Sequence, residues 1–95
     1  MKGYVVCVYK SITNEDKLKE YAVKARFAVE KYKGKLLIRG GKTFTNEGEA
    51  SPRTVVIEFP SYEEANLFYN SKEYQEAHDI LKGHAVRHHQ TVEGS

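Results

Sequence analysis

A chain of 95 residues makes one domain, residues 1–95, and a domain of this size buries only about two-thirds of its unfolded surface, so it gains from association. With 40% hydrophobic and 29% charged residues it reads as globular, and a net charge of +2 with lysines scattered rather than clustered beside aromatics argues against nucleic acid as a partner. No stretch is long and apolar enough for a membrane span or a signal-peptide core, so the expectation is a cytoplasmic protein with no membrane partner.

The first element, GYVVCVY from Gly3 to Tyr9, is β-branched and aromatic, with apolar residues at consecutive positions, the pattern of a strand covered on both faces. The single cysteine, Cys7, lies inside it and is expected to be a buried, inert thiol. Thr13 with Asp16 resembles a capping box and opens a helix to about Tyr32, where Gly34 supplies a left-handed cap. Leu18, Tyr21, Ala22, Ala25, Val29 and Tyr32 form its core-facing stripe. On the opposite side Val23 and Phe27 stand among charged residues, either as ordinary exposed side chains or as a contact patch.

Leu36–Thr45 and Arg53–Phe59 read as two further strands joined by NEGEASP, with Asn46 and Gly48 favouring a turn and Pro52 leading into the second. The first contains RGGKT, Arg39 to Thr43, which looks like half of a phosphate-binding loop. A glycine is required where Leu36 stands, and the following residues read as strand rather than helix, so nucleotide binding is not expected. Gly40 and Gly41 are read instead as a bulge that bends the hairpin strand, and they also leave room for a ligand to approach the backbone. Ser61-Tyr62-Glu63-Glu64 is a capping box for a helix from Tyr62 to about Asn70. Ser71 caps a second helical piece in which Tyr74, Ala77, His78 and Leu81 share a face, and Gly83 closes it. Ala85–Glu93 is a fourth strand of weaker apolar character.

The order β-α-β-β-α-β predicts an α+β, ferredoxin-like fold: a four-stranded antiparallel sheet with its helices on one face. Strand one and TVVIEF carry apolar side chains on both sides, so the face without helices would expose valines unless a second copy covers it. A homodimer is the expectation.

The sequence KGY at Lys2–Tyr4, LLIRGG at Leu36–Gly41, EGEASPRTVVIEFPSYEEA at Glu47–Ala65, SKEYQEA at Ser71–Ala77 and VEG at Val92–Gly94 resembles the bacterial domain of unknown function 1330 over nearly the whole chain. The resemblance implies a dimeric α/β barrel, in which two ferredoxin-like sheets pack face to face. That superfamily includes cofactor-independent monooxygenases, muconolactone isomerase-like enzymes, haem proteins and ligand-sensing domains, so fold membership does not choose a reaction. The chain departs from the family pattern in showing NED where an Asp-Pro is customary, and Leu81-Lys82 where many members carry an arginine; a lysine lacks the planar bidentate fork.

Among candidate chemistry, Arg39 and Glu58 face each other if the hairpin turns at Gly48–Glu49. The pair is either a cross-strand ion pair or a site in which Arg39, beside Gly40 and Gly41, anchors a small carboxylate and Glu58 orients it or acts as a base. His78, beside Tyr74 on the apolar stripe, fits a hydrogen-bonded core residue and also a general acid or base at a pocket between helix and sheet, where Tyr74 is core material or a pocket-lining ligand contact. His88 and His89 point to opposite faces of a strand and cannot chelate one ion together, and His84 has no ligand partner at a suitable spacing, so neither a metal nor a cofactor is expected. No Ser-His-Asp set can be assembled. The functional expectation is a small-molecule enzyme acting on an acidic or phenolic metabolite, with a non-catalytic binding module or an interaction protein as the alternatives.

Overall fold

The computed structural model describes all residues, 1–95, in the order β1 (Gly3–Ile12), α1 (Glu15–Lys31), β2 (Lys35–Arg39), β3 (Thr54–Phe59), α2 (Tyr62–Asn70), α3 (Lys72–Leu81) and β4 (Ala85–Glu93). The strands form one antiparallel sheet in the order β2-β3-β1-β4, the ferredoxin-like topology expected from the element order. Strand alternation gives β1 two different faces. Val5, Cys7 and Tyr9 are buried beneath the helices, and Tyr4, Val6 and Val8 lie on the other side, only half-covered within one chain. Beneath the helices, 15 buried side chains form a single cluster that joins the sheet to Leu18, Ala25 and Val29 of α1 and to Tyr74, Ala77 and Leu81 of α3. The opposite face is apolar and open: Val86 is 57% exposed, Ile38 46% and Val92 41%, around half-buried Val6, Val8 and Val56.

Helix ends follow local hydrogen bonding. Ser61 accepts from the Glu64 N–H at 3.1 Å and Ser71 from the Tyr74 N–H at 3.1 Å, so both caps read from the sequence are present. At α1 the cap is Asn14 rather than Thr13, because its side chain accepts from the Lys17 N–H at 3.0 Å. Thr13 instead donates its N–H and hydroxyl to the His84 carbonyl, at 2.8 and 3.1 Å, tying the α1 entry to the turn before β4. The left-handed residue after α1 is Lys33 (φ 64°), not Gly34. The Lys33 N–H donates to Glu30 and the Gly34 N–H to Val29, the paired bonds of a Schellman ending. Gly34 is glycine for a different reason: a Cβ there would lie 2.7 Å from the Phe59 ring and 2.8 Å from Val29.

The second strand is shorter than its sequence suggests. It ends at Arg39, because Gly40 and Gly41 both take positive φ (73° and 94°) and turn the backbone out of the sheet. The irregularity in its pairing with β3 falls between Leu36 and Ile38, not at the glycines. Lys35 stands opposite Glu58 and Arg39 opposite Val55, three residues from Glu58, so the expected Arg39–Glu58 pairing does not occur: the ladder ends at Arg39, and the connection to Thr54 is not a paired hairpin turning at Gly48–Glu49.

Gly3 marks the tightest backbone approach, since a Cβ there would meet the Ser61 carbonyl and lie 2.6 Å from the Tyr62 Cα. Backbone cannot yield as a flexible side chain can. Gly3→Ala is therefore expected to destabilise the fold by about 2–3 kcal/mol, read as a melting temperature lower by roughly 10 °C or more. An unchanged melt would mean that α2 is not seated on β1 in this way.

Candidate functional site: an arginine-lined cavity between helix and sheet

The antiparallel register assembles the site from residues far apart in sequence. Arg39 pairs with Val55, Val55 with Cys7 and Cys7 with His89, so one row of side chains crosses the whole sheet on its helix-covered side. In the adjacent row Tyr9 pairs with Arg87 on β4, and on its other flank the Tyr9 N–H donates to the Arg53 carbonyl at 2.9 Å. The Ser51 hydroxyl fixes that junction by donating to the Tyr9 carbonyl at 2.6 Å and accepting from the Arg53 N–H at 3.3 Å. Tyr9 is thus flanked by two guanidinium groups, with Arg53 at 5.8 Å and Arg87 at 5.5 Å from its ring centroid.

These rows floor a cavity of about 500 Å³ beneath α1, within the size range of small-molecule sites. Leu18, Ala22 and Val29 of α1, with Leu36 and Ile57 of the sheet, supply its apolar wall; Arg39, Arg53, Arg87 and His89 supply polar groups from the sheet side, and Lys19 and Arg26 from α1. Glu15 is the single carboxylate on the wall. Arg26 pairs with Glu30 at 3.6 Å, but no ion pair in the molecule includes Glu15, Arg39, Arg53 or Arg87.

Arg87 is held by neutral groups. Its guanidinium donates to the hydroxyls of Tyr21 and Tyr74, both at 3.1 Å, and to the Cys7 sulfur at 3.7 Å; the two hydroxyls share a further hydrogen bond of 2.9 Å. Burial works against the Arg87 charge, but Tyr21, Tyr74 and Cys7 outweigh it and hold the group above its ordinary value. The same burial pushes the Cys7 thiol up, which keeps it protonated. Arg53 leaves its buried Nε without a partner. Its guanidinium also lies on the Gly40 backbone, where a Cβ would come within 2.6 Å of Nη1. The group that approaches the first glycine of RGGKT is therefore this arginine, whereas Gly41 faces open space.

The other sequence candidates lie elsewhere. Glu58 sits on the open face, accepting from the Tyr4 hydroxyl at 3.2 Å, with Lys2 at 4.0 Å. His78 is half-buried on α3 outside the cavity wall, its ring parallel to Tyr74 at 6.0 Å and its Nδ1 buried without a partner. Burial, then Arg87, lowers its pKa. Tyr74 lies behind the wall, reaching the site only through Arg87 and Tyr21. His89, on the wall itself, packs against Tyr69 at 4.9 Å; burial, then the Arg87 charge, lowers its pKa to about 4, so it is neutral at pH 7. Lys82 pairs with Asp79 at 3.3 Å on the surface, away from the cavity. No group of three or more His, Cys, Asp or Glu side chains is placed to hold a metal ion.

Residues 2–95 match the family described as Domain of unknown function (DUF1330). The chain belongs to this family. The DUF1330 chain matches no curated protein. Among solved structures it is similar to the RPA0582 protein of unknown function from Rhodopseudomonas palustris, at 12% identity and a TM-score of 0.78 over 99% of this chain and 82% of that one. A dimeric protein of unknown function and ferredoxin-like fold from Bacteroides fragilis aligns at 17% identity and a TM-score of 0.58, covering 98% and 96%. An ethyl tert-butyl ether d (EthD) family protein from Bacillus halodurans aligns at 13% identity and 0.62, covering 100% of both chains. At these identities the likeness establishes the fold. No helix of the DUF1330 chain is long and apolar enough to cross a membrane.

Proposed function

We propose that this DUF1330 protein is a homodimer whose protomers each hold a small acidic or phenolic molecule in the cavity beneath α1. The observation that carries the reading is a cavity wall bearing Arg39, Arg53 and Arg87 with no carboxylate paired to any of them. For the half-buried Arg53 and Arg87 an unpaired charge is costly, and a ligand acceptor offsets that cost, while Arg39 stands exposed. The open apolar sheet face supports association of two copies, as does the description of the Bacteroides fragilis protein as dimeric. The lone unpaired thiol of Cys7 fits a reducing compartment, and we place the protein in the cytoplasm.

Binding comes before turnover in this reading, because the acid–base candidates from the sequence, His78 and Glu58, lie off the cavity wall. The enzymatic reading rests on His89, an imidazole on that wall that is neutral and so free to accept a proton, but burial and the Arg87 charge make it a weak base, which favours binding over turnover. A thermal-shift screen with small carboxylates and phenols tests the binding. A ligand at a hundred times its dissociation constant adds about 2.7 kcal/mol, or upward of roughly 10 °C for a domain of this size. Arg39→Ala, at the exposed mouth, is expected to weaken the hits, and His78→Ala to leave them unchanged. A screen with no stabiliser in either class would remove the proposal.

A further inference from the structure

Resting on that reading and narrowing it, we infer that the cavity takes an amphipathic monocarboxylate, with its carboxylate at the part of the wall that carries Arg53 and Arg87 and its hydrocarbon or aromatic body beneath α1. Three observations converge on that chemistry. The first is charge. Two guanidinium groups flank one tyrosine ring, at 5.8 and 5.5 Å, and neither enters an ion pair. An anion in the cavity supplies the counter-charge that both lack.

The second is the balance of donors and acceptors. A guanidinium carries five N–H groups, and Arg87 uses three, on Tyr21, Tyr74 and Cys7. Tyr21 and Tyr74 have two hydroxyl protons between them, only one of which is used in their mutual bond, and neither hydroxyl donates elsewhere. The Arg53 Nε is buried with nothing to bond. The cluster therefore has donors in excess and lacks an acceptor. An ionised carboxylate is acceptor-only and matches the planar fork of an arginine in two-point geometry.

The third is the remainder of the wall. Leu18, Ala22, Val29, Leu36, Ile57 and Phe68 make much of the rest of the wall an apolar surface, which offers a small inorganic anion no contact of its own kind. An inorganic anion would leave this wall empty, and a neutral hydrocarbon would leave the arginines unanswered. Arg39 does not alter the head position, because it is exposed and its charge is already solvated.

Calorimetric titration of the intact protein with octanoate, octan-1-ol, acetate, phenol and inorganic phosphate tests the assignment. Octanoate is expected to bind at least tenfold more tightly than each of the other four. Arg53→Met is expected to lose at least tenfold of the octanoate affinity while leaving that for octan-1-ol unchanged. Its partly exposed side chain at the margin of the sheet makes folding robust, which a thermal melt verifies; Arg87→Met repeats the measurement from the opposite side of Tyr9. Octan-1-ol or phenol binding as well as octanoate would overturn the carboxylate seat while leaving the cavity as a small-molecule site. Phosphate binding more tightly than octanoate would overturn the carboxylate in favour of a phosphoryl group. Failure of all five to bind would overturn both this inference and the reading on which it rests.

Discussion

Val6→Asp is expected to split the proposed homodimer into monomers and to lower the melting temperature at the same time. Val6 sits mid-strand in β1, paired with Val56 on one side and Gln90 on the other, at the centre of the open apolar face. Interior strands cannot move aside for a new side chain, so the carboxylate would be carried into the interface. Desolvating an unpaired charge costs several kcal/mol, and two-fold symmetry would place one from each copy at the contact. A loss of about 4 kcal/mol in association weakens the dimer roughly a thousandfold. Sedimentation at low micromolar concentration reads the outcome. The control lies on the outer side of α1: Phe27 is 70% exposed, and Phe27→Ser is expected to keep the parent mass. A dimeric Val6→Asp together with a monomeric Phe27→Ser would move the interface from the sheet to the helix layer.

The elements were legible because each is specified locally. Ser61 and Ser71 announce helices with a hydroxyl placed to accept from an N–H three residues on, and the apolar runs of β1 and β3 need no distant information. What could not be read is register. The facing of Arg39 and Glu58 requires a hairpin paired continuously up to a turn at Gly48–Glu49, whereas pairing stops at Arg39 and the irregular connection to Thr54 leaves Arg39 opposite Val55. The site depends on register to a greater degree, because Arg53, Tyr9 and Arg87 meet only when β3 and β4 are both aligned on β1. One signal was available. Strand alternation puts Arg87 and His89 on the side opposite Val86, His88 and Val92, and a charged residue directed toward a tyrosine-rich core calls for a partner. The weak apolar character of β4 obscured this, for its inward face is where the polar groups of the cavity stand.

Stability is expected to fall as pH drops from about 6.5 to 4, and His89 is expected to be a principal cause. In the unfolded chain its imidazole takes a proton near the ordinary histidine value, whereas in the fold burial, then Arg87, and then His78 and His88 hold its pKa near 4. The unfolded state therefore binds more protons across this window, and stability rises with pH through it. The contribution is complete above the unfolded value and is lost progressively toward the folded one, amounting to about 3 kcal/mol at its largest. The groups packed around the ring bring no carboxylate: Arg87 on the same strand is a fixed cation, Tyr69 and Tyr74 present aromatic rings, and His78 on α3 is itself lowered by burial and by Arg87. Urea denaturation of the parent and of His89→Gln at pH 7 and pH 4.5 isolates the term, since glutamine keeps hydrogen-bonding capacity without titrating. The parent is expected to lose about 2–3 kcal/mol more than the variant over that interval. Equal losses would mean that His89 is solvated in the folded protein and free to protonate, and the dry, cationic wall on which the ligand site depends would then have to be abandoned.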